Sequence, residues 1–194
     1  MRIGIVSDIH CNAKGLQTAI DRMGQVDELF CAGDAITEYR FDNEVVELLR
    51  ARQAHMVKGN HEMVLLGQHG AQARGAAHVR KESLDYLAEQ PLRIDITIGG
   101  RRILMVHANP LTPHYTYIYP DSPELARLSE LDADYVILGH THCQFAQRVG
   151  KSLVINPGST GDARDHFNGL ALSYAVLDLS SGEVTFDNYH LGQD

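Results

Sequence analysis

The sequence is short of cysteine, of long apolar runs and of positive charge. Its three cysteines, Cys11, Cys31 and Cys143, form no C-x-x-C pair and are odd in number, which argues against a disulfide framework and for a reducing compartment. No apolar run approaches the roughly 18 residues that a membrane span needs. The opening MRIGIVSD enters an apolar strand at once, without a basic region, a long apolar region or a cleavage site. A signal peptide is therefore not expected, and a cytoplasmic location is. Lysine and arginine number 17 against 25 acidic residues, a formal charge of -8 over 194 residues. A surface that coats nucleic acid is normally basic, so nucleic acid is disfavoured as a partner. A phosphate substrate is still open to such a chain, because a local metal centre overrules the global sign. Repeats, low-complexity tracts and linkers are missing too, so one domain over residues 1–194 with a sizeable core is expected. No membrane partner is expected, and self-association as a homo-oligomer is left open.

What is present alternates. RIGIV (2–6) precedes Ala13, Leu16, Ile20 and Met23 at helical spacing. ELFCA (28–32) precedes an amphipathic stretch through Val45, Leu48 and Leu49, with Asp42 or Asn43 as its N-cap. HMV (55–57) leads to a long segment, 71–89, that Pro91 ends. This β-α-β-α-β order implies parallel strands with crossover helices. The second half differs: RIDITI and RRILMV flank Gly99 and Gly100 as a hairpin, a helix follows near 124–131, and the rest reads as strands. The expected class is α/β, a four-layer α/β/β/α sandwich of two mixed sheets flanked by helices.

Five apolar runs end alike: at Asp8 and His10, at Asp34, at Asn60 and His61, at His107, and at His140 and His142. Ligands of open α/β sheets bind beyond the carboxyl ends of the strands. Glycine precedes Asp34, Asn60 and His140, as it would where the backbone turns sharply or lies close to a bound group. Imidazole with carboxylate and amide oxygen suits Mn, Fe, Zn, Co or Ni better than Mg or Ca. In VILGHTH an extended backbone sends residues i and i+2 to one face, so His140 and His142 could flank two ions roughly 3.5 to 4 Å apart, or clamp one.

D-x-H at 8–10, G-D at 33–34, G-N-H-E at 59–62, the lone His107 and G-H-T-H at 139–142 resemble the ordered motif set of the calcineurin-like metallophosphoesterases. NPGST (156–160) and SYAVLDL (173–179) are similar to the C-terminal part of its small, capless prokaryotic phosphodiesterase branch. The resemblance implies that Asp8, His10, Asp34 and His142 hold one metal. Asp34 would bridge to a second, held also by Asn60, His107 and His140. It further implies two divalent transition-metal ions, manganese first, with iron, nickel, zinc or cobalt as alternatives. The implied enzyme hydrolyses phosphodiesters or small phosphorylated metabolites, through a hydroxide between the metals that attacks phosphorus while His61 assists the leaving group. His61, following Asn60, would be turned away from Asn60's metal by an extended backbone.

The chain departs from the family at several places. Cys11 stands where glycine often follows D-x-H, and Cys143 follows GHTH; both are expected to be buried thiols, with thiolate ligation the alternative. Thr37 stands where Ser/Thr protein phosphatases of the superfamily carry an acidic partner for the motif histidine, so either Glu38 substitutes or His61 lacks that partner. A protein phosphatase is disfavoured on this ground. Tyr115, Tyr117 and Tyr119 form either an aromatic wall for a nucleobase or aryl group or packing against the sheet. Arg164 could reach a phosphate oxygen or simply be a solvated loop residue. His55, His69, His78, His114, His166 and His190 carry no motif, His114 and His166 being the nearest to exceptions. The rival functions are a non-catalytic protein-binding scaffold, a nuclease and a dinucleoside polyphosphate hydrolase.

Overall fold

The computed structural model describes residues 1–112 and 115–192. The elements of the first half are β1 (Arg2–Val6), α1 (Ala13–Met23), β2 (Glu28–Cys31), α2 (Asn43–Ala51), β3 (His55–Met56), α3 (Asn60–Leu66), α4 (Ala71–Arg74) and α5 (Lys81–Glu89). There follow β4 (Arg93–Ile98), β5 (Arg101–Val106), α6 (Pro123–Arg127), β6 (Tyr135–Ile137), β7 (Gln144–Val149), β8 (Ser152–Pro157), β9 (Leu172–Asp178) and β10 (Glu183–Tyr189). One five-stranded sheet has the order β10-β9-β1-β2-β3 and the other β4-β5-β6-β8-β7. Each has three parallel strands: β1, β2 and β3 in the first, β5, β6 and β8 in the second. Antiparallel strands complete both.

The parallel strands are buried on both faces, which is why they read as unbroken apolar runs. Ile3, Ile5, Phe30, Ile103, Met105, Ile137 and Leu177 meet in the core between the sheets. The alternate residues turn outward. Val6 and Leu29 pack with Leu16, Ile20, Val45 and Leu49 of α1 and α2, while Leu104, Val136 and Val154 pack with Ile118, Leu125 and Leu128. At about 1.5–3 kcal/mol for each fully buried large side chain, these three cores hold the four layers together. The fourth layer is thin, being α6, a 3-10 turn (Leu128–Glu130) and the loop before them.

Local signals account for the boundaries. Asn12 caps α1 by accepting from the Gly15 N–H, and Asp42 caps α2 by accepting from Glu44 and Val45. Gly99 and Gly100, with φ of 56° and 75°, turn the β4–β5 hairpin. Segment 71–89 differs from expectation: it is not one helix but α4 and α5, broken between Gly75 and Arg80. Asn43 grips the break, donating to the His78 carbonyl at 2.8 Å and accepting from the Arg80 N–H at 3.0 Å. Among the described residues no helix is long and apolar enough to cross a membrane.

Candidate metal centre

All five polar run-ends lie together, at the carboxyl ends of β1, β2, β3, β5 and β6. The hydrogen-bond ladder of the first sheet continues into its loops: Asp8 N–H donates to the Gly33 carbonyl at 3.0 Å, and Ile9 and His10 both donate to that of Asp34 at 2.8 and 3.0 Å. The backbone there is left-handed. Asp8, His10, Asp34, His140 and His142 have φ of 52°, 49°, 53°, 69° and 59°, each costing on the order of 1–3 kcal/mol. This corrects the extended geometry expected of GHTH. β6 ends at Ile137, and the turn after it sends the two imidazoles to different groups rather than along one face.

Asp8, His10 and His142 form one group of potential ligands, His10, Asp34 and His61 a second, and Asp34, His107 and His140 a third. In the first, His142 Nε2 is 3.3 Å from Asp8 Oδ1 and 3.2 Å from His10 Nε2. In the third, His107 Nε2 is 3.1 Å from both Asp34 Oδ2 and Asn60 Oδ1. Three of these imidazoles are also tied to the backbone. His107 Nδ1 donates to the Ala32 carbonyl at 2.7 Å, His142 Nδ1 to that of Asp162 at 2.6 Å, and His140 Nε2 to that of Tyr115 at 3.0 Å. Metal-ligating histidines are oriented in this way. Asp8 Oδ1 is fully buried without a hydrogen-bond partner. An orphaned carboxylate oxygen amid imidazoles fits divalent transition ions.

The electrostatics of the metal-free chain point the same way. Burial disfavours a proton on His107, but the Asp34 charge and hydrogen bond, with Asp8 beyond, outweigh it and raise its pKa to about 10. Asp34 is burdened by burial as well, yet His107 and His61 hold it below the usual carboxylate range. Burial raises Asp8. Burial lowers His10 to about 4, and burial with the His107 charge brings His140 there too.

Asn60 and His61 open a helix, not an extended segment: Glu62, in the first turn of α3, reaches back to accept from the N–H of Gly59, the residue that caps it. One helical residue step therefore sets the His61 ring apart from Asn60. His61 Nε2 is 3.7 Å from Asp34 Oδ2, and its ring meets His10 edge-on at 4.7 Å. Glu38 is the acidic partner: its carboxylate lies against His61 Nδ1. The Glu38 N–H is 3.2 Å from the same nitrogen; the carboxylate is the stronger partner for a ring N–H.

Sequence reasoning missed the supports. Glu62, fully buried, accepts from the N–H groups of Gly59 (2.7 Å), Asp34 (2.9 Å) and Ile36 (3.2 Å), binding two ligand loops into one unit. Burial, then the Asp34 charge, raises it to about 7. Asn156 donates to the Gly139 carbonyl at 2.7 Å, and Ser159 Oγ to that of Asp8 at 2.7 Å, so NPGST joins the sheets beneath the centre. The final Glu of GNHE and the polar residues of NPGST were the available signals. The glycines answer close approach within the protein itself: a Cβ on Gly59 would stand 2.2 Å from Asp34 Oδ1, and one on Gly139 2.1 Å from Ser7 Oγ.

Arg164 lines an open groove with His10, Glu38, Arg40, His61 and Asp162, and its guanidinium is paired with Asp162. Cys11 donates to the Arg40 carbonyl at 3.3 Å and burial raises it to about 11; burial raises Cys143 too. Both are only partly buried, against the expectation of buried thiols, and neither joins a ligand group among the described residues. His55 pairs with Glu28 and His78 lies 3.2 Å from the Phe41 carbonyl, whereas His114 lies outside the described residues. Tyr115, Tyr117 and Tyr119 are all exposed to solvent.

Comparison with known proteins agrees with this geometry. A protein of Methanocaldococcus jannaschii without assigned function is 29% identical over 91% of this chain and 82% of its own. The crystal structure of a metallophosphoesterase from Sphaerobacter thermophilus matches with a TM-score of 0.80 at 27% identity, covering 98% of this chain and 89% of that one. An archaeal phosphodiesterase shares the fold, with a TM-score of 0.62 at 24% identity over 97% of this chain and all of its own, 100%. Residues 1–182 match the calcineurin-like phosphoesterase superfamily domain, and with these ligand groups at its strand ends the chain belongs to that superfamily.

Proposed function

We propose that the chain is a dinuclear metal-dependent phosphoesterase acting on phosphodiesters or small phosphorylated metabolites, with manganese the first-choice ion. The carrying observation is the position of Asp34. Its carboxylate belongs to two of the three ligand groups, 3.1 Å from His107 and 3.7 Å from His61, as a ligand shared by neighbouring ions must. Asp8, His10, Asp34 and His142 would hold one ion, and Asp34, Asn60, His107 and His140 the other. When bound, two such ions neutralise the phosphoryl oxygens and activate water for in-line displacement.

The chain's own groups do the rest. His61 faces the groove beside His10, oriented by Glu38 on Nδ1, and Nε2 is placed to give a proton or hydrogen bond to the departing oxygen. Arg164 and Arg40 line the same groove and supply positive charge for a phosphate, Arg164 once it turns from Asp162. The test uses metal-stripped protein re-supplied separately with Mn, Ni, Co, Zn or Mg and offered a chromogenic diester and the matching monoester. Turnover restored by metal, lost in Asp34→Ala, and reduced in His61→Ala with ions retained is expected. Two bound ions without turnover of any ester would sink the proposal and favour a scaffold.

A further inference from the structure

We propose that Tyr117 and Tyr119 form a stacking platform for a flat aromatic ester group, a nucleobase or aryl ring, that stays on the phosphorus of a diester substrate. This rests on the phosphoesterase reading and narrows it to a substrate class.

The loop that carries the rings is built onto the metal centre at both ends of its function. It leaves β5 at His107, and the Tyr115 carbonyl accepts from His140 Nε2. Ile118, 3% exposed, is rooted in the outer core of the second sheet. Tyr119 and Ser122 clasp each other, N–H to Oγ at 2.8 Å and N–H to carbonyl at 3.0 Å. With Ile118 turned inward, Tyr117 and Tyr119 on either side of it turn outward, 49% and 38% exposed. Their rings run parallel to that of a ligand: Tyr117 stacks on His140 at 4.1 Å and 8°, and Tyr119 on Tyr117 at 6.0 Å and 19°. Half-exposed aromatic faces, held parallel beside a ligand, present the surface on which bases stack whatever their identity. At 6.0 Å the two tyrosines stand closer than the roughly 7 Å that an inserted ring needs, twice the ~3.5 Å contact distance, so the guest does not enter between them and lies against the exposed ring surface of the pair.

The two sides of the centre are unlike. His61 packs on His10, and its groove is polar, lined by Glu38, Arg40, Asp162 and Arg164. A departing alcohol suits that side, which leaves the retained ester group for the tyrosines at His140.

The experiment compares three diesters with one leaving group, the p-nitrophenyl esters of thymidine 5′-phosphate, phenyl phosphate and ethyl phosphate, on manganese-loaded wild type, Tyr119→Leu and Tyr119→Phe. A KM about tenfold lower for the ring-bearing esters than for the ethyl ester is expected. Tyr119→Leu should erase that ratio while the kcat ratio holds, and Tyr119→Phe should restore it. A thymidine preference over phenyl identifies a nucleobase and equal preference an aryl ring; both uphold the platform. A KM ratio unchanged in Tyr119→Leu overturns it. Should wild type turn over none of the esters, the phosphoesterase reading fails on its own, and calorimetry of thymidine 5′-monophosphate against ethyl phosphate still decides. An affinity advantage of about tenfold that Tyr119→Leu removes supports the platform, and equal affinities refute it.

Discussion

The loops of the first sheet supply both carboxylates, Asp8 and Asp34, together with His10, Asn60 and His61, whereas those of the second supply only imidazoles, His107, His140 and His142. Two of the ligand groups draw on both sheets: His142 of the second completes the pair Asp8 and His10, and His107 and His140 complete Asp34. The negative charge is thus held by one layer, while the other contributes imidazoles. The sheets also differ outside. α1 and α2 cover the first closely through Leu16, Ile20, Val45 and Leu49, while the second is covered, among the described residues, by α6, a turn and the tyrosine loop. Under the proposed function the labour divides: one half supplies the carboxylates for the ions, and the more open half offers the tyrosine loop to the substrate. Formation of the centre should then report docking of the two sheets.

Asp34→Ala removes the carboxylate that two of the ligand groups share, so it should abolish turnover and lower metal content, read by elemental analysis. His61→Ala alters only the groove beside His10; kcat should fall by about 10²–10⁴-fold with both ions retained. Phe30→Ala, in the core between the sheets, should cost about 3–5 kcal/mol in denaturant unfolding and weaken metal binding with it. If metal affinity survived that loss, the coupling of docking to ligation would be wrong. Asn156→Ala frees the turn beneath GHTH and should weaken metal binding by about 10–100-fold, the range for groups that orient ligands. The smallest effect sets one histidine apart from the rest. With its pKa raised to about 10 by Asp34 and Asp8 against burial, metal-free His107 should carry a second ring proton at neutral pH, whereas His10 and His140, lowered to about 4, should not. Metal must displace that proton, so binding should release it and weaken as pH falls. Calorimetry in buffers of different ionisation enthalpy would detect it; no proton release would mean that His107 is neutral.

Much of this was legible without coordinates. The alternation of strands and helices, the Gly99–Gly100 hairpin, the Asp42 cap and the gathering of polar residues at five strand ends all follow from short-range patterns. The break at Gly75–Arg80 was not legible, because it depends on Asn43, far back in the chain. Nor was α3, since its Gly59 cap lacks the side-chain oxygen that marks a helix start. The doubt over Thr37 and Glu38 was a doubt about reach, and it was settled by where the loop after β2 lies against α3.

By itself the sequence determined which chemical groups this protein brings to its strand ends, because apolar runs and the polar residues that stop them are local features of the chain. The tertiary structure decided which groups act together. His142 meets His10 across 132 residues, and Asp8, Asp34 and His140 aim their side chains from left-handed backbone that an isolated segment would avoid. Such conformations persist only where cross-sheet hydrogen bonds and packing outweigh their strain, and those partners exist only once the two sheets have closed.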